Sequence, residues 1–446
     1  MSRGTRSSIL YHNSFDDNCG FLRIEITAFV ASNGAGTHDT VGAMAKARSM
    51  DAAELQEFLT RGIERIYPSE DFLRDKLARG ERVRIYFGID PTGPTLHLGH
   101  IVALLKLQTL QAFGHEVILL IGDFTGMVGD PTDKTAARQR LTRKQVLANA
   151  KRYKKQASAF LSFSGKSPAK LLHNSAWLSK LNFEAVLNLA AHFTVQQLME
   201  RDMFQVRQKE QKPIYLHEFL YPLLQGYDSA AMNVDGEIGG NDQTFNMLAG
   251  RTLMKQLKNK EKFVLAVKLL IDPSGKKMGK TEGNMLTFGD SSSDMFGKVM
   301  SWSDTQILPA FELLTKVPRA DIESMKTGME AGSLNPRDAK ARLAEKISMY
   351  FYTAAEVEKA KRSFEKTFRE GAIPDSVSKI EVSKGTSLIE ALTRNISESR
   401  TQLRRLIISG AIEEVGKGKI LDVSYMIQSP MTVRVGKHRF LRIDVT

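Results

Sequence analysis

The apolar residues Leu55, Phe58, Leu59, Ile63 and Ile66 keep to one helical face, so the spacing predicts a helix from Asp51 to Arg79. Val83-Arg84-Ile85-Tyr86-Phe87 then reads as a strand, and Asp90-Pro91-Thr92-Gly93-Pro94-Thr95 as a tight loop. A helix follows to about Phe113, with Gly114 as its stop signal. Glu116 to Gly122 is a continuous apolar strand of the kind a parallel sheet buries. Strand, loop, helix, strand is a βαβ unit, the building block of a doubly wound nucleotide-binding sheet. Residues 140–220 read as mostly helical and highly charged. Within them Lys151-Arg152-Tyr153-Lys154-Lys155 fits either a solvated helical face or an RNA-facing surface. Phe263 to Leu270 is another apolar strand, and it precedes a glycine- and lysine-rich loop, Gly275 to Lys280. Beyond about Ser291 the pattern turns all-helical. Asn335-Pro336 opens one helix with cap and first-turn proline in their expected places, and Ala339, Leu343, Ile347 and Phe351 form its buried stripe. From about Ile380, two short helical patterns, Ser387 to Thr393 and Ser397 to Ser409, lead to Gly410 and to short strands that include Met431 to Phe440.

Composition narrows the class. The chain has 446 residues, 42% of them apolar and 25% charged, which is ordinary for a globular protein of several domains. The single cysteine, Cys19, forms no disulfide within the chain, gives no zinc site and points to a reducing compartment. Lys and Arg number 63 against 50 Asp and Glu, an excess of 13 that suggests a polyanionic partner, although membrane surfaces also attract basic proteins. No apolar run approaches the roughly 18 residues a membrane span needs. The first 50 residues are rich in Ser, Gly, Asn and Thr and lack helical periodicity. Arg3 and Arg6 fit a transit peptide, but Asp16, Asp17, Glu25 and Asp39 argue against one, so a disordered or artefactual extension is expected, with Met50 as a start.

Two short motifs carry chemistry. His97-Leu98-Gly99-His100 enters a helix directly after a strand and loop. A helix start offers free N–H groups and partial positive charge, which suit phosphate. Gly99 lets an adenine ring approach the backbone. The two imidazoles, three positions apart, are placed to donate to an α-phosphate as charge builds in a transition state. The second motif is Lys277-Met278-Gly279-Lys280-Thr281, whose lysines suit the clamping of a triphosphate and its departing pyrophosphate.

In this order the two motifs resemble the paired signatures of class I aminoacyl-tRNA synthetases. Within that class the chain looks like the bacterial tyrosyl enzymes from about Met50 to the C-terminus. The blocks concerned are Tyr86 to Thr92, Gly129-Asp130-Pro131, Tyr221 to Asp228 and Gly239-Gly240-Asn241-Asp242-Gln243. The resemblance implies an α/β fold in four parts. Residues 1–50 are the extension, and 51–290 a Rossmann-like parallel-sheet catalytic domain with a helical insertion. Residues 291–375 are a helical domain on the anticodon side, and 376–446 a small α+β RNA-binding domain of S4 type. It implies activation of L-tyrosine by ATP with Mg²⁺, transfer to tRNA(Tyr), and a homodimer. No resident metal or prosthetic group and no membrane partner are expected. The expected location is the cytoplasm, or an organelle if the extension is a transit peptide.

The residues fit those roles. Tyr86 and Asp228 suit the phenol hydroxyl of tyrosine, Asp130, Tyr221 and Gln225 its ammonium, and Gln243 its carboxylate end. Asp228 lies in an apolar stretch where an unpaired carboxylate is costly. For ATP the expected contacts are Asp90, Thr92, Gly99, Gly240, Asp242, where the carboxylate accepts from ribose hydroxyls, and Lys280. His97, His100, Lys277, Lys280 and Thr281 are the expected catalytic group. In the tail, Arg400, Arg404, Arg405, Lys437, His438 and Arg439 form a phosphate-binding cluster. Two features depart from the family pattern. Gly279 and Thr281 stand where the generic second motif has serines, and Asp133 adds an acid near Lys134 and Arg138. A tryptophanyl synthetase shares fold and motifs but usually lacks the S4 tail and lacks the Tyr86 and Asp228 pair. Pantothenate synthetase and small nucleotidyltransferases lack the helical domain and tail. A non-catalytic RNA-binding derivative would have lost the histidines or lysines.

Overall fold

The computed structural model describes residues 46–132, 141–271, 286–370, 378–396, 399–436 and 439–446. A six-stranded sheet runs in the order β1 (Ile63–Tyr67), β6 (Phe263–Val267), β5 (Gly236–Gly240), β2 (Arg84–Ile89), β3 (Glu116–Ile121), β4 (Lys170–His173). All neighbours pair in parallel except β1, which runs antiparallel to β6 at one edge. The central strands are apolar on both faces and lie under helices, as parallel sheets require. The helix Ile101–Ala112 follows β2 and ends ahead of Gly114, whose φ of 87° only glycine adopts easily. Between β2 and β5 the chain direction through the sheet reverses, since β3 lies on one side of β2 and β6 on the far side of β5. The crevice at the carboxyl ends of those two strands is therefore the switch point where such sheets bind ligands.

The long N-terminal helix expected from the apolar spacing is broken. The chain forms a helix Ala52–Thr60, then β1, then a second helix Glu70–Ala78. Gly62 has φ +63°, which stops the first helix, and Ile63 and Ile66 serve a sheet edge instead of a helical stripe. Met50 is buried, and Asp51 caps the first helix by accepting from Glu54 N at 2.8 Å. The helices from Ser292 to Glu370 share one continuous core with the sheet, joined through Met295, Phe296, Phe311, Leu343 and Ile347. Asn335 caps the helix Pro336–Ser348 as expected, and Ala339, Leu343 and Ile347 are fully buried, whereas Phe351 lies beyond the helix end and is only partly buried.

The C-terminal part has its own core, built from Leu388, Leu392, Leu403, Ile407, Val433 and Ile443 among others. Its five-stranded sheet runs β7 (Ser378–Val382), β11 (Arg439–Val445), β10 (Met431–Val435), β8 (Ile412–Glu414), β9 (Gly418–Lys419). Helices Leu388–Asn395 and Arg400–Ile408 complete this small α+β unit. No helix among the described residues is long and apolar enough to cross a membrane.

Candidate active site

The loop after β2 and the turn after β5 both open into the crevice. On β2, Gly88 is exposed while Phe87 and Ile89 on either side of it are buried. The opening lies above Gly88, on the strand face it shares with Tyr86. The helix Leu216–Met232 supplies one wall: Tyr221, Gln225 and Asp228 stand at i, i+4 and i+7, and so on one helical face.

Hydrogen bonds join these groups in two chains. In the first, Asp228 accepts from Trp177 Nε1 at 2.7 Å and from Asn174 Nδ2 at 3.1 Å. Asn174 Nδ2 also donates to Thr125 Oγ1 at 2.9 Å, and that hydroxyl donates to Asp90 Oδ1 at 2.6 Å. Asp90 Oδ2 in turn accepts from the Tyr221 hydroxyl at 2.9 Å. Gly122 leaves room for this, because a Cβ there would stand 2.0 Å from Asp90 Oδ1. In the second chain, the Tyr86 hydroxyl lies 3.1 Å from Ser229 Oγ, which accepts from Lys262 Nζ at 2.8 Å. Lys262 also pairs with Glu237, and Glu237 Oε1 accepts from Gln225 Nε2 at 3.0 Å. Beside both chains, Gln243 Nε2 donates to Asp130 Oδ2 at 2.7 Å, and Asn246 Nδ2 to Gln243 Oε1 at 2.9 Å.

Electrostatics follow burial. Desolvation pushes the Asp228 carboxyl well above the usual carboxylate range, with Glu237 and Asp90 adding to the rise and the Trp177 and Asn174 bonds opposing it. Burial likewise holds Tyr86 and Tyr221 well above the ordinary phenol value, Tyr86 with help from Glu237 and Asp228, Tyr221 with help from Asp90 and Asp130. Both stay neutral phenols, able to donate as well as accept.

The first motif forms a single 3₁₀ turn, Leu98–His100, leading into the helix Ile101–Ala112. The His97 and His100 rings lie 4.0 Å apart, centroid to centroid. His97 Nδ1 accepts from Gly99 N at 3.2 Å, so Nε2 carries the proton of the neutral ring. His100 Nδ1 lies 3.1 Å from His97 N and 3.0 Å from His97 O. Gly99 is exposed, and Thr92 N donates to Asp90 O at 2.8 Å. Lys277, Met278, Gly279, Lys280 and Thr281 lie outside the described residues, as do Asp133, Lys134 and Arg138. The chain from Leu286 onward pairs with the residues around the first motif. Leu286 O accepts from Leu98 N at 3.0 Å, and Phe288 N donates to Leu96 O at 2.9 Å. The segment after the second motif is thus laced to the first.

Gly240 and Asp242 sit at the end of β5, where a Cβ on Gly240 would stand 2.4 Å from Asp242 Oδ1. In the tail, Arg400, Arg404 and Arg405 are exposed on one helix. Lys437 and His438 fall outside the described residues, together with the Arg439 side chain. The sequence reading gives Tyr86 and Asp228 to the hydroxyl of a bound tyrosine. In the structure the Tyr86 hydroxyl is bonded to Ser229, and Asp228 to Trp177 and Asn174. Sequence reasoning did not single out Asn174, Trp177, Ser229, Glu237 and Lys262. A charge flanked by apolar strand residues, as in Gly236-Glu237-Ile238 and Lys262-Phe263-Val264, is the signal that marks the last two. A separate cavity of about 820 Å³ among the helices, lined by Phe311, Lys316, Met325, Arg342 and Tyr350, holds none of the motif residues.

Several known proteins are similar to this chain. The family model described as tRNA synthetases class I (W and Y) matches residues 78–369. The tyrosine–tRNA ligase of Carboxydothermus hydrogenoformans is 42% identical over 401 residues, covering 87% of this chain and 97% of that protein. That of Shewanella oneidensis is 43% identical over 405 residues, covering 88% of this chain and 100% of its own. Among solved structures, the tyrosyl-tRNA synthetase of Archaeoglobus fulgidus complexed with L-tyrosine shares the fold. Its TM-score is 0.56 at 23% identity, over 70% of this chain and 100% of that one.

Proposed function

The chain belongs to the class I aminoacyl-tRNA synthetases, in their tyrosyl branch, and on that premise we propose that the crevice makes tyrosyl-adenylate from L-tyrosine and ATP and passes the tyrosyl group to the 3′ end of tRNA(Tyr). The observation that carries the reading is the meeting, at the carboxyl ends of β2 and β5, of a helix start bearing two histidines with the buried phenols of Tyr86 and Tyr221. Gly88 and Tyr86 form the floor of the amino-acid pocket, and Tyr86 and Asp228 bind the substrate hydroxyl. Asp130, Tyr221 and Gln225 meet the ammonium, with Gln243 towards the carboxylate.

ATP enters as its magnesium complex. Asp90, Thr92, Gly99, Gly240 and Asp242 line its place, with the Asp242 carboxylate on the ribose. The tyrosine carboxylate oxygen attacks the α-phosphorus, and the bond to the bridging oxygen of pyrophosphate breaks. His97 and His100 donate to the α-phosphate as its charge grows, and Lys277, Lys280 and Thr281 stabilise the leaving pyrophosphate. The ribose hydroxyl at the tRNA 3′ end then attacks the activated carbonyl and AMP leaves.

Arg400, Arg404 and Arg405, with Lys437 and Arg439, contact tRNA phosphates. The apolar side chains of Phe183 and Leu187, 77% and 53% exposed, and of Leu216, 77% exposed, stand on two helices that pack together. Exposed apolar side chains of this kind support a homodimer. The bacterial relatives support a cytoplasmic setting. ATP–pyrophosphate exchange dependent on tyrosine, and not on tryptophan, tests the activity. Absence of exchange with tyrosine refutes it.

A further inference from the structure

We propose that Lys262 is a positioning residue for the amino-acid pocket: through Glu237 it sets which end of the Gln225 amide faces the substrate, and through Ser229 it braces Tyr86. The inference rests on the reading of Gln225 and Tyr86 as tyrosine contacts.

The proton inventory carries the argument. Lys262 precedes β6 and is completely buried. An ammonium has three protons to place. They go to Ser229 Oγ at 2.8 Å, to Met247 O at 3.1 Å and to the Glu237 carboxylate. The space is reserved for it: a Cβ on Gly250 would stand 2.4 Å from Lys262 Nζ and 2.7 Å from Ser229 Oγ. Glu237 is itself buried on β5, and its second oxygen accepts from Gln225 Nε2 at 3.0 Å. An ionised carboxylate has no proton to give, so the Gln225 amide has one allowed orientation. Its NH₂ faces Glu237 and its carbonyl oxygen is left for other work. A carbonyl oxygen is what a substrate ammonium needs, and an NH₂ in its place is repelled.

The charges around Glu237 explain why the lysine is required. Lys262 faces it from the start of β6, Tyr86 from β2, and Gln225 and Asp228 from the helix Leu216–Met232. Lys262 is the cation in this group. Without it, Glu237 keeps the Gln225 donor but loses its cation, and burial beside a second acid favours the neutral form of such a group. Protonated Glu237 donates to Gln225, and the amide turns over.

The test is tyrosine-dependent pyrophosphate exchange by the full chain across about pH 6.5 to 8.5, where an unperturbed carboxyl does not titrate. Lys262→Met, Glu237→Gln and the double variant are compared with the wild type, and each is checked for folding by its thermal melt. The tyrosine KM of Lys262→Met rises about tenfold or more at neutral pH, the worth of a hydrogen bond to a charged group. It falls back as pH rises and Glu237 ionises. The ATP KM and the kcat at saturating tyrosine stay near wild type. Glu237→Gln also raises the tyrosine KM, because the new amide turns its oxygen to Lys262 and its NH₂ to Gln225, and that rise is independent of pH. The double variant loses the pH dependence seen in Lys262→Met. If Lys262→Met does not fold, Glu237→Gln alone decides, through its KM. A folded Lys262→Met with wild-type tyrosine KM overturns the proposal. So does a loss shared equally by kcat, ATP KM and tyrosine KM at every pH. A wild type inactive with tyrosine refutes the functional reading beneath it, whereas an active wild type with unmoved variants refutes the role of Lys262 alone.

Discussion

Asp228→Asn separates recognition of the substrate hydroxyl from the integrity of the fold. The two Asp228 oxygens already accept from Trp177 Nε1 at 2.7 Å and Asn174 Nδ2 at 3.1 Å. Each retains acceptor capacity for a phenol proton. Asparagine keeps one oxygen and offers an NH₂ in place of the other. Trp177 is donor-only. Asn174 is locked as well, since its Oδ1 accepts from Phe124 N at 2.9 Å and its Nδ2 donates to Thr125 Oγ1 at 2.9 Å. Whichever way the new amide turns, one buried donor meets another, at a cost of about 1–3 kcal/mol. Removing a desolvated carboxyl relieves a cost that opposes this one. Recognition has no such offset. A buried hydrogen-bonding group left without its partner costs about 1–3 kcal/mol, which lowers kcat/KM for tyrosine about 5- to 150-fold. Phenylalanine has no hydroxyl to lose, so its kcat/KM stays level and the selectivity falls by the same factor. Pyrophosphate exchange with both amino acids measures this. A folded variant with unchanged selectivity would refute the placement of Asp228 at the phenol.

Three further outcomes are expected. His100→Asn lowers the single-turnover rate of adenylate formation about 10²-fold, comparable to removing one preorganised donor, while tyrosine affinity measured alongside hardly moves. A chain ending near Pro374 omits the separate C-terminal core, so it still forms adenylate but charges tRNA poorly and loses much of its salt-sensitive RNA binding in a filter assay. His115 is fully buried, and burial lowers its pKa to about 4. The unfolded chain therefore binds the proton more readily, and the stability His115 contributes is complete above about pH 6.5 and lost as pH falls towards 4. That window is worth up to about 3 kcal/mol, and His115→Gln, compared with wild type by denaturant melts at pH 7 and 4.5, removes that part of the acid sensitivity.

Much of the architecture is legible along the chain because it is local. Val83 to Phe87, the turn after it and Glu116 to Gly122 predict β2, the motif loop and β3 closely. The elements that escape a sequence reading owe their form to neighbours. β5 is Gly236-Glu237-Ile238-Gly239-Gly240, with one aliphatic residue in five, and it is a strand because β2 and β6 flank it. β1 escapes for the opposite reason: Ile63 and Ile66 satisfy a helical spacing and a sheet edge alike, and the backbone at Gly62 decides between them.

The same division runs through the site. Residues in compact blocks, such as His97 to His100 or Tyr221 to Asp228, are brought together by their spacing, on one turn and on one helix. Lys262 and Glu237 sit 25 positions apart, and neither belongs to a motif. What makes them informative is burial, which is a property of the packed molecule. Two opposite charges placed out of water are costly unless their protons and lone pairs are all used. Here the lysine uses all three of its protons, and each carboxylate oxygen has a donor. A pair so fully committed holds its neighbours Gln225 and Ser229 in one arrangement. That constraint holds the Gln225 NH₂ towards Glu237 and keeps Ser229 Oγ an acceptor for Lys262.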